Sequence, residues 1–281
     1  MSILERGNPA PFTHWRGPVG CLLLHGFPGT PAEMRLLGEY LAERGISVMA
    51  PLLAGHGTIP EDLRRVRWHD WVATAEAAFA RLSRRCHPVF LCGLSVGGAI
   101  TFYLAPRLPA AGVVALAPAM RLRDRHFEWA HLLGRVISWV NPTSAPDDLA
   151  DPRNRALTWH YQRYPGVALA EVLTLVQAAR RSLPRIQVPV LIFQSPRDGL
   201  LDPEGARWAY SRIGSVEKEL VWLQRSGHNI AVDVEREEVF ARVAAFVRRV
   251  AGSQTPPREE GAPRAAPSLA AGGAGGEGTP S

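Results

Sequence analysis

The sequence lacks the features of a membrane-spanning or secreted protein. Its longest uninterrupted apolar stretch, Ala110 to Met120, contains glycine and proline and has 11 residues, whereas a spanning helix needs about 20 apolar residues. The first residues, Met1 to Phe12, include Glu5, Arg6 and two prolines where a secretory signal would have an apolar core. These absences predict a cytoplasmic protein with no transmembrane segment.

Cysteine and lysine are both scarce. The three cysteines, Cys21, Cys86 and Cys92, are odd in number, and two of them lie in apolar runs typical of buried strands, so we expect no disulfide framework and no zinc or other metal site. Lys218 is the only lysine among 32 basic residues, and the formal net charge is +6. Because the arginines are scattered and no nucleic-acid reading module accompanies them, this charge indicates a solvated surface and no nucleic-acid partner.

The chain divides into a globular part and a C-terminal tail. The tail, residues 252–281, is rich in glycine and proline, has few large apolar side chains and shows no periodicity, so it is predicted to be disordered. Between residues 19 and 250, short apolar runs alternate with segments of helical periodicity. Such alternation is typical of a parallel sheet with crossover helices.

The apolar runs predict six strands, and helical periodicity predicts four helices between or after them. The strands are Val19–Leu24, Ser47–Ala50, Val89–Cys92, Gly112–Leu116, Val188–Phe193 and Leu220–Leu223, and the helices are Pro31–Glu43, Trp68–Leu82, Ala99–Leu104 and Val234–Val250.

About 70 residues separate the fourth and fifth predicted strands, far more than the roughly 10 to 12 residues of a minimal crossover. Two amphipathic patterns, Trp129 to Val140 and Leu169 to Val176, predict helices that could cap the C-terminal edge of the sheet. We therefore expect core segments at 1–118 and 187–251, separated by a helical cap with its connecting helix at 119–186.

A candidate nucleophile follows the strand at Val89–Cys92. Gly93, Ser95 and Gly97 form a Gly-x-Ser-x-Gly pattern, which is typical of a sharp strand-to-helix turn that exposes a serine hydroxyl. The helix that follows presents free N–H groups and partial positive charge to a developing oxyanion. A phosphate loop would need a Gly-Lys-Ser/Thr ending, and the sequence has none.

The run His25-Gly26-Phe27-Pro28-Gly29 follows the first predicted strand. A loop in this position can direct a backbone N–H at the same oxyanion, so we predict Phe27 and Val96 as the two donors. His25 is expected to support this loop.

The base and the acid are expected on loops after later strands, in the chain order serine, acid, histidine. His228 follows the last predicted strand, and Asp198 follows the strand at Val188–Phe193. Asp202 is an alternative acid, but its place before Pro203 favours a helix cap. Asp233 is likewise expected to cap the final helix.

These elements together resemble the α/β-hydrolases from about residue 19 to 250, in particular small bacterial carboxylesterases and monoacylglycerol lipases. The resemblance is carried by residues 24–29, 55–57 and 93–98, by Asp198 and by residues 226–228. It implies an α/β fold: a mostly parallel central sheet with helices on both faces and a small helical cap inserted after the sixth strand. It also implies a Ser95, Asp198, His228 triad, an acyl-enzyme intermediate and no cofactor.

The expected function is that of a serine carboxylesterase acting on a small-molecule or lipid-like ester of short to medium acyl chain. A monoacylglycerol lipase or lysophospholipase with a longer acyl channel is the alternative among hydrolases. A ligand-binding protein on the same scaffold, with an unproductive triad, is the alternative of another class.

Overall fold

The computed structural model describes residues 7–123, 138–141 and 148–254. In this part of the chain, seven strands form one sheet: β1 (Phe12–His14), β2 (Gly20–Leu24), β3 (Ser47–Ala50), β4 (Val89–Leu94), β5 (Gly112–Leu116), β6 (Val190–Gln194) and β7 (Lys218–Trp222). The strand order is β1-β3-β2-β4-β5-β6-β7. Only β1 runs antiparallel to its neighbour, and the other pairs are parallel. The predicted parallel sheet is confirmed.

The central strands are continuous apolar runs because both faces of the sheet are covered. In β2, Leu22 and Leu24 face one layer of the core, whereas Cys21 and Leu23 face the other, as the alternation of side chains along a strand requires. All four side chains are completely buried. A strand that is apolar at every position is therefore consistent with this place in the sheet.

Helices lie on both sides of the sheet, as predicted. They are α1 (Ala32–Glu43), α2 (Trp68–Ser83), α3 (Val96–Leu104), α4 (Gly166–Ser182), α5 (Glu204–Arg212) and α6 (Arg236–Gln254), with short 3-10 helices at Pro60–Arg64, Pro152–Leu157 and Leu183–Arg185. Residues of α1 and α6 share one layer of the core, for example Leu37 and Val243. Residues of α2 to α5 pack on the opposite face, for example Trp71 and Ile100.

The inserted segment follows β5, the fifth strand of the sheet, whereas we expected it after the sixth strand. The number differs because, in the described residues, β1 is the only strand before β2. Most of the first predicted cap helix, Trp129 to Ile137, lies outside those residues. The second pattern does form a helix, α4, but Val172 and Val176 pack into the core layer that contains α3. Helical periodicity showed that one face of α4 is buried, but it could not show that this face lies against the body of the fold.

Two further differences concern the ends of the fold. Strand β1 was not predicted, because a run of three residues carries too little periodicity. Helix α6 continues to Gln254, three residues into the segment that was assigned to the tail, and the rest of that segment lies outside the described residues. Within the described ranges, no helix is long and apolar enough to cross a membrane.

Candidate active site

Ser95 occupies a strained turn between two elements of the core. It directly follows β4 and precedes α3, and its backbone has φ 54° and ψ −114°. This positive φ is unfavourable for a residue with a side chain. The turn is held by the Ser95 N–H, which donates to the Leu116 carbonyl at 2.8 Å, and by the Ser95 carbonyl, which accepts the Ala119 N–H at 3.0 Å. Neighbouring strands thus fix the backbone that carries the hydroxyl.

The glycines on either side of Ser95 are required by close backbone approach. A Cβ at Gly93 would lie 2.2 Å from the Gly97 carbonyl oxygen, and a Cβ at Gly97 would lie 2.3 Å from the Leu24 carbonyl oxygen. Real Cβ contacts do not occur at such distances, so neither position has room for a side chain. The predicted Gly-x-Ser-x-Gly turn therefore has a steric explanation in this structure.

Two buried polar side chains, those of His25 and Glu33, hold the backbone of the loop after β2. His25 Nε2 accepts the Leu53 N–H at 3.1 Å, so Nδ1 carries the ring proton and donates to the Gly26 carbonyl at 2.8 Å. Burial lowers the pKa of His25 well below its ordinary value, which keeps the ring neutral. The Gly26 N–H donates to Glu33 Oε2 at 3.0 Å.

The two predicted oxyanion donors are placed on this loop and on the serine turn. Phe27 lies one residue beyond Gly26, and Val96 is the first residue of α3. Neither backbone N–H donates to an acceptor in the part of the chain that the structure describes.

His228 and Asp198 form a buried pair. His228 Nδ1 lies 2.8 Å from Asp198 Oδ2, and the two residues are 5% and 0% exposed. Burial alone would lower the pKa of His228, but the charge and hydrogen bond of Asp198, together with the charges of Asp148 and Glu33, outweigh it and raise the pKa above its ordinary value. In the folded state the imidazole is thus a stronger base than free histidine.

Asp198 is held as a carboxylate by several donors. Its Oδ1 accepts the N–H groups of Leu200 at 2.9 Å and Leu201 at 2.8 Å, and its Oδ2 accepts Gln194 Nε2 at 2.9 Å. Burial would raise the pKa of Asp198, but His228 and these donors hold it below its ordinary value. Neutral pH therefore leaves this group ionised.

The three predicted catalytic side chains follow β4, β6 and β7, whose carboxyl ends lie at one edge of the sheet. The acid and the base are in direct contact, whereas no hydrogen bond joins the Ser95 hydroxyl to His228 among the described residues. Catalytic hydrogen bonds are often long before a substrate binds. The alternative acid, Asp202, pairs instead with Arg121 at 3.1 Å and accepts the Glu204 N–H at 3.0 Å.

Two carboxylates on the His228 loop have roles that the sequence did not reveal. Asp233 was expected to cap α6, but its Oδ2 accepts the N–H groups of Gly227 at 2.7 Å and Ala150 at 2.8 Å. Glu235 Oε2 accepts both the N–H and the hydroxyl of Ser226 at 2.7 Å. The sequence does not indicate which backbone N–H groups a carboxylate near a histidine will bind.

Glu33 was also missed. It lies in the first turn of α1, where an acidic residue is expected for the helix dipole alone, and only the fold brings it to Gly26. The remaining member of the predicted motifs, His56, is buried, and burial lowers its pKa to about 4. Its Nδ1 bonds to the Ala54 carbonyl at 3.1 Å, so it stabilises the loop before α2, as a structural histidine does.

A cavity of about 140 Å³ lies between α4 and the loop after β5. Its inner wall is apolar and includes Leu122, Val172 and Leu173, whereas Arg121 and Arg180 add charge. In the described part of the chain, no group of His, Cys, Asp or Glu side chains is arranged to hold a metal ion.

The chain is similar to known hydrolases over most of its length. The family described as serine aminopeptidase, S33, matches residues 19–235. A thermostable monoacylglycerol lipase of Bacillus sp. (strain H-257) is 37% identical over 246 residues, which cover 86% of this chain and 95% of the relative. A carboxylesterase of Bacillus subtilis (strain 168) is 29% identical and covers 86% of this chain and 98% of the relative.

A solved structure of the metagenome-derived lipolytic enzymes LipS and LipT superimposes with a TM-score of 0.81 at 32% identity, covering 86% of this chain and 98% of that chain.

Proposed function

Because the chain belongs to the serine aminopeptidase S33 family of α/β-hydrolases, we propose that it is a serine carboxylesterase for small or lipid-like esters of short to medium acyl chain. The chain is a serine hydrolase that acts on esters, as its lipase and carboxylesterase relatives are named. We propose that residues 119–186 provide the cap and its connecting helix between the two parts of the core.

The observation that supports this proposal is the placement of three side chains after strands whose carboxyl ends lie at one edge of the sheet. Ser95 stands on the strained turn after β4, and the buried pair of His228 and Asp198, 2.8 Å apart, stands after the two last strands. A serine hydroxyl is a weak nucleophile until a base removes its proton. The raised pKa of His228 suits the imidazole to that task.

In the proposed reaction, His228 takes the Ser95 proton as the serine oxygen attacks the ester carbonyl carbon. Asp198 orients the imidazole and stabilises the imidazolium that results. The tetrahedral intermediate collapses, the carbon–oxygen bond to the alcohol breaks, and the imidazolium gives its proton to the departing alcohol. The same imidazole then takes a proton from water as the water oxygen attacks the acyl carbon. The bond from that carbon to Ser95 Oγ breaks, the imidazolium returns its proton to Ser95 Oγ, and the carboxylic acid leaves.

The negative oxygen of each tetrahedral intermediate would be held by the N–H groups of Phe27 and Val96. Losing one such donor typically costs about 3 kcal/mol of transition-state stabilisation. The Glu33 and His25 bonds to Gly26 support this role, because they fix the backbone one residue before Phe27. No metal or cofactor takes part in the proposed steps.

A monoacylglycerol lipase is a second candidate, and two observations favour it. The Bacillus sp. (strain H-257) relative, 37% identical to this chain, carries that name. The cavity beside α4 has an apolar wall of leucine and valine suited to an acyl chain. A lysophospholipase would bind the acyl chain against the same wall, and its substrate would carry a charged group on the alcohol side of the ester.

The test is steady-state hydrolysis of p-nitrophenyl esters from acetate to palmitate, together with monoacylglycerols and a lysophospholipid, by the wild type and Ser95→Ala. We expect activity in the wild type, an optimum at short to medium chains, and loss of activity in Ser95→Ala. An optimum at long chains with fast monoacylglycerol turnover would favour the lipase.

The matched control is Ser253→Ala, which alters a serine near the end of α6 whose hydroxyl donates to the Val250 carbonyl at 2.8 Å. Full activity in this control would show that the loss in Ser95→Ala is specific. A wild type that binds esters without turning them over would instead support a non-hydrolytic ligand-binding protein.

A further inference from the structure

Asp148 belongs to the inserted segment and is the first residue of the described range 148–254. It contacts the two loops that carry the acid and the base. Its Oδ2 accepts the Gly199 N–H at 2.6 Å and the His228 N–H at 3.0 Å. Its carbonyl oxygen also accepts the N–H groups of His228 at 2.9 Å and Asn229 at 3.3 Å. One residue therefore joins the Asp198 loop to the His228 loop.

Glycines make this contact sterically possible on both loops. Gly199 directly follows Asp198, and Gly227 directly precedes His228. A Cβ at Gly227 would lie 2.5 Å from the Asp148 carbonyl oxygen, and a Cβ at Gly199 would lie 3.1 Å from Asp148 Oδ2. A side chain at Gly227 would displace Asp148, and one at Gly199 would press on its carboxylate.

Asp148 also contributes negative charge near the imidazole. Three carboxylates raise the pKa of His228 against the effect of burial: Asp198 on the loop after β6, Asp148 on the inserted segment and Glu33 at the start of α1. Asp198 makes the largest of these contributions and Asp148 the next.

Three other charged groups near these loops bind the loop backbone. Asp233 and Glu235 accept N–H groups of the His228 loop, and Arg123 Nε donates to the Asp198 carbonyl oxygen at 2.9 Å. These groups shape the loops, whereas Asp148 binds the backbone of both loops and adds charge beside the ring.

We propose that Asp148 is a positioning residue for ester hydrolysis: it fixes His228 relative to Asp198, and its charge favours the imidazolium that forms when His228 takes the Ser95 proton. This inference rests on the proposed function, because it requires His228 to be the base. It also gives the inserted segment a direct connection to the catalytic side chains.

Two substitutions separate the two parts of this role. Asp148→Ala removes the side-chain acceptor and the charge, and it leaves the backbone carbonyl oxygen that accepts the His228 N–H at 2.9 Å. Asp148→Asn removes only the charge, because both N–H groups donate to the single atom Oδ2 and an amide oxygen can take its place. Asp151→Asn is the control, because it removes a negative charge only three residues along the chain from Asp148. The Asp151 carboxylate pairs with Arg153 at 2.8 Å.

The measurements are kcat and KM for one p-nitrophenyl ester across the pH range, with thermal unfolding of each variant. For Asp148→Ala we expect a fall in kcat of about 10²-fold with little change in KM, as for a displaced catalytic group. For Asp148→Asn we expect most of kcat to return at alkaline pH. Its acid limb of kcat/KM should move to lower pH, because the loss of a negative charge lowers the pKa of the base.

Wild-type kcat in Asp148→Ala, or an acid limb of Asp148→Asn that coincides with that of the wild type and of Asp151→Asn, would overturn the proposal. If Asp148→Ala does not fold, the acid limb of Asp148→Asn decides alone. Failure of the proposed function looks different, because the wild type itself would then show no ester turnover and the inference would fall with it.

Discussion

Gly97→Ala tests whether the serine turn and the oxyanion loop depend on close backbone packing. The added Cβ would lie 2.3 Å from the Leu24 carbonyl oxygen and 2.7 Å from the His25 carbonyl oxygen. Ordinary contact requires about 3.4 Å or more, so the two segments must separate by roughly 1 Å. The carbonyls belong to the end of β2, which is held between β3 and β4 and cannot move freely.

This separation affects activity more than stability. Overpacking of a well-packed site costs about 1–3 kcal/mol, which lowers Tm by roughly 2–4 °C per kcal/mol in a domain of this size. A catalytic group displaced by about 1 Å can lose about 10²-fold in rate, and the displaced loop carries the Phe27 N–H. We therefore expect a folded Gly97→Ala protein with kcat for a p-nitrophenyl ester reduced by about 10²-fold.

Gly98→Ala is the matched control on the same helix. A Cβ there would lie 3.1 Å from Pro118, which requires only a small adjustment. The better helix propensity of alanine, worth up to about 1 kcal/mol, opposes that cost, so Tm and kcat should stay near the wild-type values. Wild-type kcat in Gly97→Ala, or equal losses in both variants, would refute the steric reasoning.

The remaining predictions concern the acid, the base and the loop that carries the base. Asp198→Asn should lower kcat by about 10³- to 10⁴-fold with the fold intact, as loss of the orienting acid does in other serine hydrolases; a loss below tenfold would contradict its assignment. Because the pKa of His228 is raised, kcat/KM should still be rising with pH above 6.5, and a plateau complete by about pH 6 would be inconsistent with this base. The pKa of Glu235 is held below 4.5, since hydrogen bonds from the Ser226 loop outweigh burial, so Glu235→Gln should lower Tm at neutral pH. This difference should be full above pH 4.5 and shrink as the pH falls from there through the lowered pKa of the folded state, where the carboxylate takes up a proton; a constant difference would argue against the ionised form as the stabilising one.

Local patterns in the sequence predicted the sheet, which the structure confirms, and the candidate reacting groups. Strands such as Gly112–Leu116 are apolar at every position because both faces are covered. The pattern at Gly93 to Gly97 reflects close backbone contacts, of Gly93 within the turn and of Gly97 with the end of β2. In both cases the signal lies in a few consecutive residues, although some of the contacts that require it come from distant parts of the chain.

The roles of the supporting carboxylates could not be predicted, because the sequence does not show which backbone groups the folded loops bring to them. Asp148 binds backbone 51 and 80 residues away. Glu33 binds Gly26, only seven residues before it, but an acidic residue in the first turn of a helix is expected for the helix dipole alone. The packing of Val172 and Val176 of α4 on the body of the fold could not be predicted either, since amphipathicity identifies a buried face but not its neighbour. Asp233 has the position of a helix cap and still binds the loop before His228.

Covalent labelling with a fluorophosphonate, followed by mass spectrometry of the intact chain and of its peptides, tests most directly whether Ser95 is the nucleophile. We expect a single adduct, on Ser95, which is absent in Ser95→Ala and forms much more slowly in His228→Ala. An adduct on another serine, or equal labelling rates in the wild type and His228→Ala, would contradict the claim that Ser95 is a nucleophile activated by His228.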